Sequence, residues 1–341
     1  MKQQQLILHE RPNGLPNADT FAFKEVEVGS PETNQLLLKT LYVSVDPYMR
    51  GRMADRPSYI KPFQVGKPLN GGIVSQVVES NSENFSVGDI VTGMLNFQEY
   101  HVVEANQVRK VNTFGLRPSV ALGPLGMPGL TAYFGMMYIG MPKQGETVVV
   151  SGAAGAVGQV AGQLAKKAGA RVVGIVGSKE KAHYITNTLG FDHAIEYKLV
   201  NVHQQLKEAC PNGIDVYYEN VGGEISDAVW PLLNTFARVP VCGAISSYNL
   251  EEGEYDVGLR VQQYLIKSRA KMQGFIVSDY ADNFKEAYEE LGKAIASGDL
   301  KFEETIREGF SSIPDAFIGL FTGENIGKQL VKVADTICLT S

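Results

Sequence analysis

The sequence predicts an α/β protein of two domains, a β-rich barrel-like domain and a doubly wound parallel-sheet domain. Three observations predict it. Up to about residue 127, short extended stretches are separated by frequent Gly, Pro and Asn turn signals. From about Pro128, helical and extended patterns alternate. Within that second part, Thr147 to Lys181 (TVVVSGAAGAVGQVAGQLAKKAGARVVGIVGSKEK) reads as strand, glycine turn, helix and strand. At 341 residues the chain is long enough for two large cores.

In chain order, partly alternating apolar residues predict strands over Phe21–Val28 and Gln35–Val45, then over Gly72–Glu79, Ile90–Met94 and Tyr100–Val103. Leu130–Tyr138 reads as helix. Thr147–Val150 is a β-branched run of the buried parallel-strand kind. Gly152, Gly155 and Gly158 follow, and apolar residues from Val157 to Ala168 recur at helical spacing until Gly169 stops the helix. Arg171–Val176 is the next strand. Such a βαβ unit places bare backbone N–H groups of a helix start against a pyrophosphate, so a dinucleotide is expected at Ala154, Gly155, Ala156 and Val157. The plainer reading is a glycine turn that only packs helix on strand. Asp215–Glu219 and Arg238–Gly243 read as further strands, the second either an edge or short of one ladder bond because Pro240 has no N–H. Lys271–Val277 reads as a late strand. Phe284, Ala287, Tyr288, Leu291 and Ile295 mark an amphipathic helix, Pro314–Phe321 another, and Gly327–Val333 a last strand.

Composition narrows the function classes. A net charge of -6 with no block of Lys or Arg argues against a nucleic-acid partner. No apolar run approaches membrane-spanning length, and MKQQQLILHE has too few apolar residues for a signal-peptide core. The three widely spaced cysteines, Cys210, Cys242 and Cys338, fit a reducing cytoplasm and read as buried inert thiols. With no Cys before residue 210, no CxxC and no ligand spacing among His9, His101, His183, His193 and His203, no metal site is expected. Each histidine reads as a surface or helix-face residue.

GAAGAVG, GSKEK, GIDVYYENVGG, VCGAISSYN, MQGFIVSDY and GENIGKQLVKV occur in this order, with VDPYMRGRM ahead of them. Together they resemble the zinc-independent branch of the medium-chain dehydrogenase/reductase superfamily. Within it they are similar to the NADP-dependent alkenal/enone reductases: plant double-bond reductases, prostaglandin and leukotriene reductases, and bacterial curcumin reductase. The resemblance covers nearly the whole chain. It implies a GroES-like β-barrel domain over 1–127 and 303–341, a Rossmann domain over 128–302, and a homodimer paired along the 271–277 edge.

Cofactor type is read at the second strand's end. NAD-binding units usually put an acid there to bond the ribose 2′-OH, and this chain has Gly177-Ser178-Lys179-Glu180-Lys181. A hydroxyl and an ammonium accept a 2′-phosphate, so NADPH is expected. A solvated helix-start lysine is the bland alternative for Lys181, although cations are disfavoured at helix N-termini. The resemblance implies that Lys181 is the phosphate-binding lysine and Tyr197 the adenine-side tyrosine. It also implies cofactor contacts at Ser178, Asn220, Cys242, Gly243, Ala244, Ile245, Ser246, Tyr248, Phe275, Ile276, Val277 and Asn325. Glu219 is given no chemical part.

For the chemistry, the resemblance puts Tyr48 beside the nicotinamide and Tyr59 at the substrate mouth. Plant and animal members carry a tyrosine where this chain has Lys267, and Tyr264 lies three residues earlier, close to one helical turn away. Tyr48 and then Tyr264 are the candidate hydroxyls. Met127, Met136, Met137 and Phe275 line a pocket or simply pack. The expected activity is reduction of the C=C bond of α,β-unsaturated aldehydes and ketones, with hydride passing to the β-carbon. A quinone reductase and a non-catalytic NADPH-binding sensor are the alternatives.

Overall fold

The computed structural model describes residues 1–337; Cys338 lies outside the described residues. The chain divides into two compact units. One comprises residues 1–122, 305–325 and 329 onward, the other residues 123–304 with 326–328.

In the first unit, Lys2–Leu8 and Phe21–Glu27 form an antiparallel pair, with Lys2 opposite Glu27 and Leu8 opposite Phe21. The first of these strands is not legible in KQQQLIL, because three glutamines hide the alternation. Gln3 is nevertheless buried, and its side-chain oxygen accepts from the Tyr100 N–H at 2.7 Å. A seven-stranded sheet runs Glu304–Glu308, Lys328–Lys332, Gln35–Ser44, Asn70–Ser80, Ile90–Asn96, Arg109–Lys110, with Tyr100–Glu104 also paired to Gln35–Ser44. Leu36 and Leu38 bury one face against the main core, while Leu41 and Tyr42, consecutive residues, both face a second cluster with Val74, Leu122 and Leu330. The register explains it: Thr40 pairs Ser75 and Tyr42 pairs Val74, so Leu41 is the extra residue of a bulge and the alternation changes phase there.

In the second unit, six strands form one wholly parallel sheet: Thr147–Ser151, Arg171–Val176, His193–Glu196, Ile214–Tyr218, Leu233–Val241 and Lys271–Gly274. Numbered in chain order, they lie 3-2-1-4-5-6, the doubly wound Rossmann order. Thr147–Ser151 is buried at every residue, as a strand covered on both faces requires. Pro240 does not sit on an edge. Its strand is paired on both sides, and Pro240 contributes a carbonyl that accepts from Glu219 N–H at 3.0 Å. The irregularity falls earlier, where Phe236 adopts φ 65° and the register shifts. Lys271–Gly274 is the edge strand and ends before Phe275. The expected 130–138 helix is an α-helix over Met127–Phe134 continued by a wide π turn, Gly135–Gly140.

Candidate functional site: a dinucleotide turn and a half-buried tyrosine

The first parallel strand delivers Ser151 to the glycine turn. Gly152 follows at φ +59°, a conformation L side chains rarely adopt, and its carbonyl accepts from Gly155 N–H at 2.9 Å. A Cβ on Gly158 would lie 2.3 Å from that carbonyl oxygen and 2.8 Å from Ala153 Cα, so only glycine lets the helix Gly158–Lys167 start this close to the strand. Ala154, Gly155, Ala156 and Val157 make the turn between them. Ala154 O is occupied by Gly327 N–H at 2.7 Å, which ties residues 326–328 onto the turn.

In the 3-2-1-4-5-6 order, the first and fourth strands flank the point where strand order reverses, and open α/β sheets bind ligands in that crevice. Glu219 joins the two strand ends. It is buried and accepts from Ser151 Oγ (3.1 Å), Tyr217 OH (2.9 Å), Val221 N (2.9 Å), Gly222 N (2.9 Å) and Ser226 Oγ. Asn220 completes the tie, donating from its backbone N–H to Ser151 Oγ (2.9 Å) and from Nδ2 to Ser151 O (2.7 Å). Sequence reasoning gave Glu219 no part. Its role is to hold the turn, and the only signal was an acid at the end of a buried strand.

The run Cys242–Tyr248 is fastened to the same place. Cys242 N and Gly243 N donate to Glu219 O, Ile245 N donates to Asn220 O (3.3 Å), and Ser246 N donates to Val221 O (2.9 Å). Ala244 N donates to Tyr248 OH at 3.3 Å. Asn220 and residues 242–248 are thus brought together at the carboxyl ends of adjacent strands. Burial pushes the Cys242 thiol up to about 12, so it is a protonated packing group. Phe275, Ile276 and Val277 follow the edge strand. Phe275 sits beside Gly135 and Tyr218, since a Cβ on Gly135 would strike both rings. Met136 is buried, whereas Met127 and Met137 are more than a third exposed.

At the second strand's end, Ser178 Oγ accepts from Lys181 N–H at 3.3 Å and caps the helix Lys179–His183. Burial, and then the like charge of Lys198, hold the Lys181 ammonium below the usual lysine range. Tyr197 stands next to Gly177: a Cβ there would lie 3.2 Å from Tyr197 Cε1. The residues fit a dinucleotide bearing a 2′-phosphate. The turn leaves room for backbone to approach a pyrophosphate, and the ribose end offers a hydroxyl and an ammonium where an acid would repel the phosphate.

Tyr264 lies on the helix Gln262–Ser268 of this second unit, its ring packed against the sheet core, and Lys267 is exposed in the last turn. The other candidates belong to the first unit. Tyr48 precedes the short helix Met49–Arg52 and packs on the main core. Burial, then the Asp46 charge, push its hydroxyl well above the ordinary tyrosine value, against the pull of Arg52. Arg52 is itself fixed by Lys61 O (3.0 Å), Asn70 Oδ1 (2.8 Å) and the Phe63 ring at 3.8 Å. Tyr59 is 64% exposed. Asn325 follows the left-handed Gly323 that ends the helix Ile313–Thr322.

One histidine departs from expectation. His101 is buried in a strand, bonded through Nε2 to Thr40 Oγ1 at 3.0 Å, and Thr40 in turn donates to Gln98 O at 2.7 Å. Thr40 therefore accepts from an Nε2–H, and burial pushes the imidazole pKa down to about 4. Among the described residues, no group of three or more His, Cys, Asp or Glu is placed to hold a metal ion. No helix among them is long and apolar enough to cross a membrane.

Comparison with known proteins agrees with this geometry. A family model described as the N-terminal domain of oxidoreductase matches residues 4–111, and one described as zinc-binding dehydrogenase matches residues 156–294. The chain is 44% identical to the NADPH-dependent curcumin reductase of Escherichia coli (strain K12), over 98% of this chain and 97% of that protein. It is 41% identical to the NADP(+)-dependent 2-alkenal reductase of Nicotiana tabacum, over 98% of both. The crystal structure of CurA from Vibrio vulnificus in complex with NADPH matches with a TM-score of 0.92 at 42% identity, covering 97% of this chain and 99% of that one. The chain is a member of the medium-chain dehydrogenase/reductase family, with a GroES-like sheet domain and a Rossmann domain, and its relatives are NADP-dependent reductases.

Proposed function

We propose that the protein is an NADPH-dependent oxidoreductase that reduces the C=C bond of α,β-unsaturated aldehydes and ketones. The observation that carries this reading is the acid-free second-strand end, Gly177 and Ser178 beside Lys181 and Tyr197. It supports NADPH as the cofactor. The choice of C=C bond rests on likeness to a 2-alkenal reductase and a curcumin reductase along nearly the whole chain.

Bound NADPH supplies a hydride to the β-carbon of the substrate. Residues 154–157, with Ser178, Lys181, Tyr197, Asn220 and the run 242–248, bind and orient it, Glu219 holding the turn from below. As the β-carbon gains two electrons, negative charge collects on the carbonyl oxygen. The Tyr48 hydroxyl, kept protonated at neutral pH, donates a hydrogen bond to that oxygen, and the α-carbon takes its proton from water or a tyrosine. Tyr59 lines the substrate entrance and Tyr264 is the second hydroxyl. The enzyme acts in the cytoplasm as a homodimer paired along Lys271–Gly274, where an unpaired strand edge carrying the exposed Met272 has reason to be covered. Light scattering at micromolar concentration should give about twice the 37.1 kDa chain mass, and a monomer mass removes the dimer.

The test is a panel of alkenals, enones and quinones assayed with NADPH, with products identified. Saturated aldehyde or ketone is expected. Hydroquinone as the preferred product would make it a quinone reductase, and cofactor binding without turnover would make it a sensor.

A further inference from the structure

The second-strand end holds more positive charge than Lys181 alone. Gly177 occupies the place from which an acid would reach the ribose in an NAD-binding unit. A Cβ at that position would lie 3.2 Å from Tyr197 Cε1, 3.5 Å from Tyr197 OH and 3.6 Å from Lys198 Cε. The end of the Lys198 side chain therefore lies beside Gly177, in the same place as the tyrosine hydroxyl. The side chain comes from the loop just after the third strand, His193–Glu196, which ends beside the second strand with Glu196 opposite Val176. The adjacent Tyr197 N–H donates to Val176 O at 3.1 Å, which fixes the backbone that carries both side chains.

From this placement we infer that Lys198 is a second specificity-determining residue for the cofactor, a cation that with Lys181 brackets the 2′-phosphate of NADPH. The inference rests on the NADPH reading above and deepens it. Two lysines on neighbouring strand ends repel each other, and Lys198 is the charged neighbour that holds Lys181 down after burial itself. A doubly charged phosphate between them replaces that repulsion with two attractions, whereas a ribose hydroxyl leaves it in place. Discrimination then comes from a gain with NADPH that NADH does not share. Lys198 is exposed, so its share is smaller than that of a buried ion pair and falls with salt.

The experiment measures equilibrium binding to the full chain, with no turnover. Kd is determined by calorimetry for NADPH, NADH, adenosine 2′,5′-bisphosphate and 5′-AMP, on the parent, Lys198→Met, Lys198→Arg and Lys181→Met. Lys198→Met should weaken NADPH and the bisphosphate by about threefold to tenfold and leave NADH and 5′-AMP within error. The effect should shrink at 0.5 M salt, and Lys198→Arg should restore binding. If Lys198→Met leaves the NADPH to NADH ratio unchanged while Lys181→Met lowers it, the inference is wrong and the NADPH reading stands. If neither variant changes the ratio, both are wrong. Equal weakening of all four ligands would make Lys198 a support of the fold, which also overturns the inference.

Discussion

The dinucleotide turn and the Tyr48 region are built in opposite ways. Around residues 151–158 and 219–222, the turn is made of backbone, held by Gly158, which leaves no room for a Cβ, by the positive φ of Gly152, and by the buried Glu219 side chain with five donors. Around Tyr48, the region is made of side chains on a four-residue helix and an irregular loop, from a half-buried Tyr48 to a largely exposed Tyr59. Backbone recognition suits the part of a substrate that never changes, the pyrophosphate. Side chains on loops suit the part that varies between enzymes.

Removing the turn's support is the harshest way to break this comparison. Glu219→Ala removes the shared acceptor of three hydroxyls and two N–H groups, at a cost of about 3–5 kcal/mol to the second unit. Calorimetric unfolding should show one transition moving down strongly. A loss below about 1 kcal/mol would mean the turn holds itself.

In the other region, Tyr48→Phe should lower kcat by about 10²–10³. The readout is single-turnover hydride transfer, and an unchanged rate removes Tyr48 as the donor. Tyr264→Phe is then the next variant, and if it too is silent the cofactor's ribose hydroxyl and water are left.

The first unit also carries a pH dependence. The folded pKa of His101, about 4, lies below its ordinary 6.5, so its contribution is fully present above pH 6.5 and is lost as pH falls from there through 4. The loss approaches about 3 kcal/mol below pH 4. Thermal unfolding should show the decline, flattened in His101→Gln; an identical decline in that variant assigns it to other groups.

The mildest perturbation sharpens the cofactor side. Lys181→Ala should weaken NADPH by roughly tenfold, about 1.4 kcal/mol, with NADH barely affected. Equal weakening of both would show that the lysine does not read the 2′-phosphate.

Much of this protein was legible before any tertiary contact was considered. Gly152, Gly155 and Gly158 between a β-branched run and a helical repeat specify a turn by local sterics, and a missing acid at Gly177 is visible as a letter. Both are local facts, and local facts are what a linear text records. The strand Lys2–Leu8 was hidden because Gln3 is buried to serve a backbone N–H almost a hundred residues away. Pro240 left two readings open, an edge strand or one short of a ladder bond, and tertiary pairing removed the first: the strand is interior, and on the Glu219 side only the proline's carbonyl is asked for.

What the sequence alone determined was the βαβ unit, the order of domains and the chemistry available at the ribose end, since periodicity, glycine sterics and charge act between near neighbours. Tertiary structure alone decided that Glu219 is a hub, that His101 is buried and neutral, and that Lys198 stands beside Gly177. Each of those depends on which strand ends lie side by side, and pairing between distant strands is set by the packing of the whole sheet, which no local pattern encodes.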